Sequence, residues 1–108
     1  MLVVNTDYIT GYELEMLGMV QGSTVQTVNA FKDIGQGFKT LVGGEQKTYT
    51  KLMTQTRQIA LDRMIDQAKS MGADAVVNVR FSTSEIMQGS SEVCATGTAV
   101  KCHKINAE

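Results

Sequence analysis

The feature that most limits how this chain can fold is one amphipathic segment between Lys47 and Met71. Its apolar side chains recur at the spacing of three and four residues that places them on one face of a helix, and Lys, Asp and Gln occupy the opposite face. Gly72 follows directly, and glycine is the residue that most often ends a helix. The pattern predicts a helix of about seven turns. Its apolar stripe consists of Tyr49, Leu52, Met53, Thr56, Ala60, Met64, Ile65, Ala68 and Met71.

The part of the chain before this helix predicts a long, curved strand over residues 12–28. The strand is rich in Leu, Met, Val and Thr, and it contains Gly18 and Gly22, which mark bulges, bends or close backbone approach. A short strand over residues 2–5 is expected to precede it. Apolar residues recur at helical spacing over residues 29–45, but glycines interrupt them, so this stretch predicts a short, irregular helix.

Two more strands are expected after the long helix. Residues 75–85 alternate between apolar and polar side chains, which predicts Val77, Val79 and Phe81 on one face of a sheet. A polar turn leads to a last strand over residues 92–103, so the two strands form a hairpin.

These elements predict an α+β fold, and a chain of 108 residues is short enough for residues 1–108 to form a single domain. One long amphipathic helix and one short irregular helix pack on a small, curved, antiparallel-dominated sheet. Because one helix covers only one face of a sheet, the other face is expected to meet further copies of the chain. The sequence therefore predicts a self-associating subunit.

Composition excludes several classes of function. Ten basic and eleven acidic residues are interspersed, and only three Phe and three Tyr are available to stack on bases, so we expect no nucleic-acid partner. The longest apolar run is residues 1–4, whereas a membrane-spanning helix needs about 20 residues. With no membrane segment and no secretory signal in this pattern, we expect a cytoplasmic protein.

The sequence contains no recognisable catalytic motif. It has neither a G-x-S-x-G nor an H-E-x-x-H pattern, and its single histidine, His103, is a poor general base so near the end of the chain. We therefore expect a protein that is not an enzyme. No cofactor is evident, and a soft metal ion is the only candidate.

The candidate metal ligands are Cys102 and His103. They are adjacent in a strand, so their side chains point to opposite faces and cannot easily hold one ion together. Cys94 lies on the same strand face as Cys102 but roughly 26 Å away, whereas a disulfide needs Cα atoms within about 7 Å. A metal site therefore requires copies of the chain to converge on a symmetry axis.

Several short stretches along nearly the whole chain form a recognisable pattern. They are Gly11–Glu13, Gly22–Val25, Asn29 with Lys32–Asp33, Val42–Glu45, Tyr49, Gly72–Val77, Ser91–Val93 and Gly97–Val100. In this pattern the chain resembles the YbjQ-like family, which is provisionally labelled a heavy-metal-binding domain. The resemblance implies a small α+β subunit that assembles into a ring, commonly a pentamer with a sheet-lined interior, of bacterial or archaeal cytosolic origin. It implies no established biochemical activity.

A candidate pocket between subunits surrounds the glycine turn before the long helix, and it would take a small anion or metabolite. Its residues are Asn29, Lys32, Asp33, Gly43, Gly44 and Glu45. Lys32 stands where the family usually has Arg, which removes the bidentate fork that a guanidinium offers an anion. Three functions remain open: a ring-forming binding or scaffolding protein, a heavy-metal-binding protein whose ligands come from several subunits, and an enzyme with a site between subunits near Lys32, Asp33 and Glu45.

Overall fold

The computed structural model describes residues 1–27 and 44–106. The elements in these ranges are β1 (Leu2–Val3), β2 (Tyr12–Thr27), α1 (Gly44–Ser70), β3 (Ala75–Met87) and β4 (Ser90–Lys104). The short irregular helix expected over residues 29–45 lies outside the described residues, except for its last two positions, which belong to α1.

The strands form one four-stranded sheet in the order β1-β3-β4-β2. The pairs β2–β4 and β3–β4 are antiparallel, and β1 runs parallel to β3. Strands β2 and β4 pair along their whole length, from Tyr12 opposite Lys104 to Thr27 opposite Ser90. The predicted α+β fold with an antiparallel-dominated sheet is confirmed.

Helix α1 lies along one face of this sheet, chiefly over β2 and β4. Its fully buried side chains are Thr56, Ala60, Met64 and Ala68, which repeat every four residues. This stripe is the centre of the predicted apolar face, because residues four apart stack along a helix. The helix begins three residues earlier than predicted, and its predicted polar face is exposed.

The end of α1 is a Schellman motif built around Gly72. The φ angle of Gly72 is 79°, in the left-handed region. Its N–H donates to the carbonyl of Lys69 at 3.0 Å, and the N–H of Ala73 donates to the carbonyl of Ala68 at 3.1 Å. These two bonds satisfy carbonyls that the last helical turn would otherwise leave unpaired. The predicted role of Gly72 is therefore confirmed.

Two glycines in β2 adapt that strand to the helix. A Cβ atom on Gly22 would overlap the backbone of Ala60 and Met64, so the absence of a side chain lets the backbones of α1 and β2 touch. At Gly18 the register with β4 shifts, which is a β-bulge. Both expectations for interior strand glycines, a bulge and a close backbone approach, are confirmed.

A second bulge, in β3, overturns one prediction. Val77 lies opposite Thr98 and Arg80 lies opposite Thr96, so β3 uses one residue more than β4 over this interval. The extra residue is accommodated at Asn78, whose φ is 54°. Val79 packs in the core under α1, whereas Val77 packs on the other face. The prediction that these two valines share a face with Phe81 is therefore wrong for Val77.

A smaller apolar cluster lies on the sheet surface opposite α1. Its buried members are Ala75, Val77 and Val100. The chain between β1 and β2 packs against it through Val4 and Ile9. This second cluster occupies only the end of the sheet next to β1, so the rest of that surface has no cover among the described residues.

Candidate functional site

The sheet surface opposite α1, which we call the open face, carries exposed apolar side chains. Residues directly opposite on neighbouring strands share a face, so Met16, opposite the buried Val100, and Met19, opposite Thr98, lie on the open face. Their relative exposures are 59% and 74%, and Val25, further along β2, is 52% exposed. Apolar side chains exposed together on a small domain mark an interaction surface.

Cys102 lies on the open face, beside the small apolar cluster. Its backbone N–H donates to Oδ2 of Asp74 at 2.9 Å. Burial, and secondarily the Asp74 carboxylate, raise the pKa of the Cys102 thiol above its usual value. Because the thiolate is the form that binds a metal, this environment favours the non-ligating thiol within a single subunit.

His103 lies on the helix side of the sheet, away from Cys102. Its Nε2 is 3.0 Å from Oε1 of Glu15, and both side chains are exposed. The strand register puts Glu13 directly opposite His103, so Glu15 reaches it diagonally. The pairing was not predicted, since only the register of β2 against β4 reveals it. The two candidate ligands of one subunit thus point apart, as expected.

Within residues 1–27 and 44–106, no three His, Cys, Asp or Glu side chains lie close enough to hold a metal ion. Cys94 and Cys102 are both free thiols. In the same part of the chain, no helix has the length and hydropathy that crossing a membrane requires. A metal centre on these side chains would need ligands from more than one copy.

The predicted pocket near the glycine turn lies mostly outside the described residues. This applies to Asn29, Lys32, Asp33 and Gly43. Gly44 and Glu45 form the first two residues of α1.

A groove that was not predicted runs between α1 and the outer edge of β3, just beyond the end of β1. Its apolar wall consists of Val3, Leu61, Val79 and Phe81, and its volume is about 650 Å³. Arg80 also lines the groove. The register places it opposite Thr96, on the open-face side, and its Nη1 donates to the backbone carbonyls of Asn5 and Val79, two further lining residues. Sequence offered no signal for this groove, because it depends on the bulge in β3 and on the course of the chain after β1.

Two side chains of α1 hold the outer edge of β2. Oε1 of Gln67 accepts the backbone N–H of Gln21 at 2.7 Å, and Nη1 of Arg63 donates to the carbonyl of Ser23 at 2.6 Å. These backbone groups point away from β4, so they would otherwise be available to a further strand. The helix thereby shields the middle of this edge against strand addition.

The described residues form an α+β fold in which α1 covers one face of the sheet, while none of them covers most of the other face. The chain belongs to the YbjQ family, whose model, described as "Putative heavy-metal-binding", matches residues 1–103. A UPF0145 protein of Clostridium novyi is 55% identical over 94% of this chain and 98% of its own length. A UPF0145 protein of Thermosipho africanus is 54% identical over 98% of this chain and 99% of its own length.

A solved structure shares the fold. It is a protein of unknown function from Pediococcus pentosaceus, assigned to the DUF74 family, with a TM-score of 0.52 and 13% identity. The match covers 95% of this chain and 98% of that one. None of these relatives carries the name of an enzyme.

Proposed function

We propose that this protein is a non-enzymatic subunit of a cytoplasmic homo-oligomeric ring of five copies. Its proposed role is binding or scaffolding. The observation that carries the proposal is the open face, where Met16, Met19 and Val25 expose apolar side chains to solvent. Burying such side chains releases about 25 cal/mol per Å² of apolar surface. Further copies of the chain are a partner that is present wherever the chain itself is made.

The dimensions of the subunit support assembly. Its extents are 63 × 29 × 19 Å and its Cα radius of gyration is 17.7 Å, whereas a compact domain of this length has a radius of about 13 Å. An elongated subunit keeps more surface than a compact one, and neighbouring copies would bury part of it. In the proposed ring, the open faces line the interior.

The test is the mass of the unaltered protein at micromolar concentration, measured by light scattering and native mass spectrometry. A ring of five copies has a mass near five times that of the 11.7 kDa chain. Met19→Glu places a charge in the open face, and we expect it to produce smaller species. A monomeric unaltered protein would overturn the proposal.

A matched control separates the open face from general effects of charge. Ile59 is 41% exposed on α1, on the other side of the sheet, so Ile59→Glu should leave the oligomer intact. If Ile59→Glu dissociates the oligomer and Met19→Glu does not, copies meet through the helix and the proposed interface is wrong.

Metal binding across subunits is the second candidate, and the position of Cys102 on the open face favours it. If open faces converge, copies of Cys102 approach one another, whereas His103, on the opposite side, would take no part. We expect Cys102→Ser to abolish metal retained after purification, measured by elemental analysis, and His103→Gln, on the helix side of the sheet, to leave it unchanged. No bound metal, together with an unchanged melting temperature on adding Zn²⁺ or Cu⁺, would refute this candidate.

A further inference from the structure

We infer that the groove between α1 and β3 binds a small carboxylic acid with an apolar tail. The inference rests on the juxtaposition of an anchored, unpaired guanidinium and an apolar wall. It goes beyond the proposed assembly, because the groove is formed within one chain, at the outer edge of β3 beside α1.

Arg80 provides the site for the carboxylate. Its Nη1 donates to the carbonyl of Asn5 at 2.9 Å and to the carbonyl of Val79 at 2.9 Å, so both Nη1 hydrogens are in use. The Nε and Nη2 donors remain, and they form the edge of the guanidinium that binds a carboxylate bidentately. Among the side chains that the structure describes, no carboxylate pairs with Arg80.

These two hydrogen bonds fix the position of the Arg80 guanidinium before a ligand binds. A free arginine loses side-chain entropy when it binds a ligand, but here two backbone carbonyls already hold the guanidinium. Preorganisation of this kind increases affinity by lowering the entropy lost on binding. A lysine at this position would offer a point charge without the planar fork.

The wall of the groove selects the rest of the ligand. Val79 is buried, Val3 and Leu61 are half-buried, and Phe81 is exposed on the same side. The groove has a volume of about 650 Å³ and is open to solvent, so a ligand would lie along it with one side exposed. A charged head at Arg80 and an apolar tail along Leu61 and Phe81 would satisfy both parts of the groove. A small anion such as acetate, whose only apolar group is one methyl, would use only the first.

The experiment is calorimetric titration of the unaltered protein, in its native oligomeric state, with octanoate, acetate and 1-octanol. We expect octanoate to bind with one site per chain and to bind at least about tenfold more tightly than either comparison ligand. Amide resonances should move at Asn5, Leu61 and Val79–Phe81. Equal binding of octanol and octanoate would overturn the role of Arg80. Shifts confined to the open face would overturn the site.

Variants test the two parts separately. Arg80→Gln should weaken octanoate binding about ten- to hundredfold, and Phe81→Ala should weaken octanoate but not acetate. Lys101→Gln removes the same charge towards the far end of β4 and should change nothing. If Arg80→Gln does not fold, the comparison of ligands on the unaltered protein still decides. Absence of octanoate binding together with an intact oligomer refutes the site and leaves the assembly standing.

Discussion

Replacing Gly22 by alanine tests the direct contact between the backbones of α1 and β2. An alanine Cβ would overlap the carbonyl oxygen of Ala60 and the amide nitrogen of Met64, and it would lie 2.8 Å from the carbonyl carbon of Arg63. Because these are backbone atoms, no side-chain rotation relieves the overlap. The helix must retreat by about 1 Å to bring the nearest of these atoms to an ordinary contact of 3.4 Å.

The expected loss of stability follows from the packing contacts between α1 and the sheet that this displacement of the helix would weaken. Overpacking of a core costs about 1–3 kcal/mol, and a radial gap of about 0.5–1 Å loses a quarter to a half of each dispersion contact. Since Ala60, Met64 and Ala68 all pack through this contact region, we expect a loss near the top of the range, about 3 kcal/mol. In urea this shifts the midpoint by about 1.5 M or more.

The sign of the effect makes the test decisive. Gly22 does not have a positive φ, so without the helix an alanine there would stabilise the protein by about 0.4–1 kcal/mol through the unfolded chain. Gly11→Ala is the matched control. Gly11 has a φ of 84° with no atom within 4 Å of the added Cβ, so only the left-handed conformation is penalised, by about 1–2 kcal/mol.

The assay is urea unfolding followed by circular dichroism at one fixed protein concentration, because assembly makes stability depend on concentration. The slope of the unfolding free energy against urea should be the same for all variants. A Gly22→Ala protein that is as stable as the unaltered one, or more stable, would refute the direct contact between α1 and β2.

Three further outcomes are expected. Asn78→Val should cost about 1–2 kcal/mol in chemical denaturation because a β-branched residue resists the left-handed region, whereas Asn78→Gly should be nearly neutral. Removing both Arg63 and Gln67 side chains should increase thioflavin-detected aggregation, because the edge of β2 is then unshielded; aggregation at the unaltered rate would contradict this role. Alkylation of Cys102 at pH 8.5 should be slower than that of a free thiol and should accelerate in Asp74→Asn. Since the folded thiol has the higher pKa, its stabilising contribution is fully present below the ordinary pKa of a thiol and is lost as the pH rises through the raised pKa of the folded state.

Much of the fold could be predicted from local signals. The period of the apolar residues located α1, and Gly72 located its end, because both depend on residues close together in sequence. The alternation of side chains likewise predicted that Cys102 and His103 point to opposite faces. Which residues they contact could not be predicted, since Asp74 and Glu15 reach them only through the register of the sheet.

The features that sequence did not reveal depend on how elements meet. The contacts of Arg63 and Gln67 with β2 arise from where the helix lies over that strand. The groove at Arg80 requires the chain after β1 to continue along β3, where Val79 donates its N–H to the carbonyl of Val4. The extra residue at the bulge does not interrupt the alternation of apolar and polar residues in the sequence. The sequence therefore gives no sign that Val77 and Val79 lie on opposite faces.

The bulge at Asn78 therefore reverses, within one strand, the face of the sheet on which odd-numbered residues lie. Before it, β3 presents Val77 to the open face. After it, the residues from Arg80 to Glu85 pair one to one with β4, because the extra residue absorbs the difference. Deleting Asn78 would leave Val77 opposite Thr98 and Arg80 opposite Thr96, so both residues would keep their faces and only the bulge would be lost. The bulge therefore lets β3 bury Val77 on one face of the sheet and Val79 on the other, although strict alternation would put both on the same face.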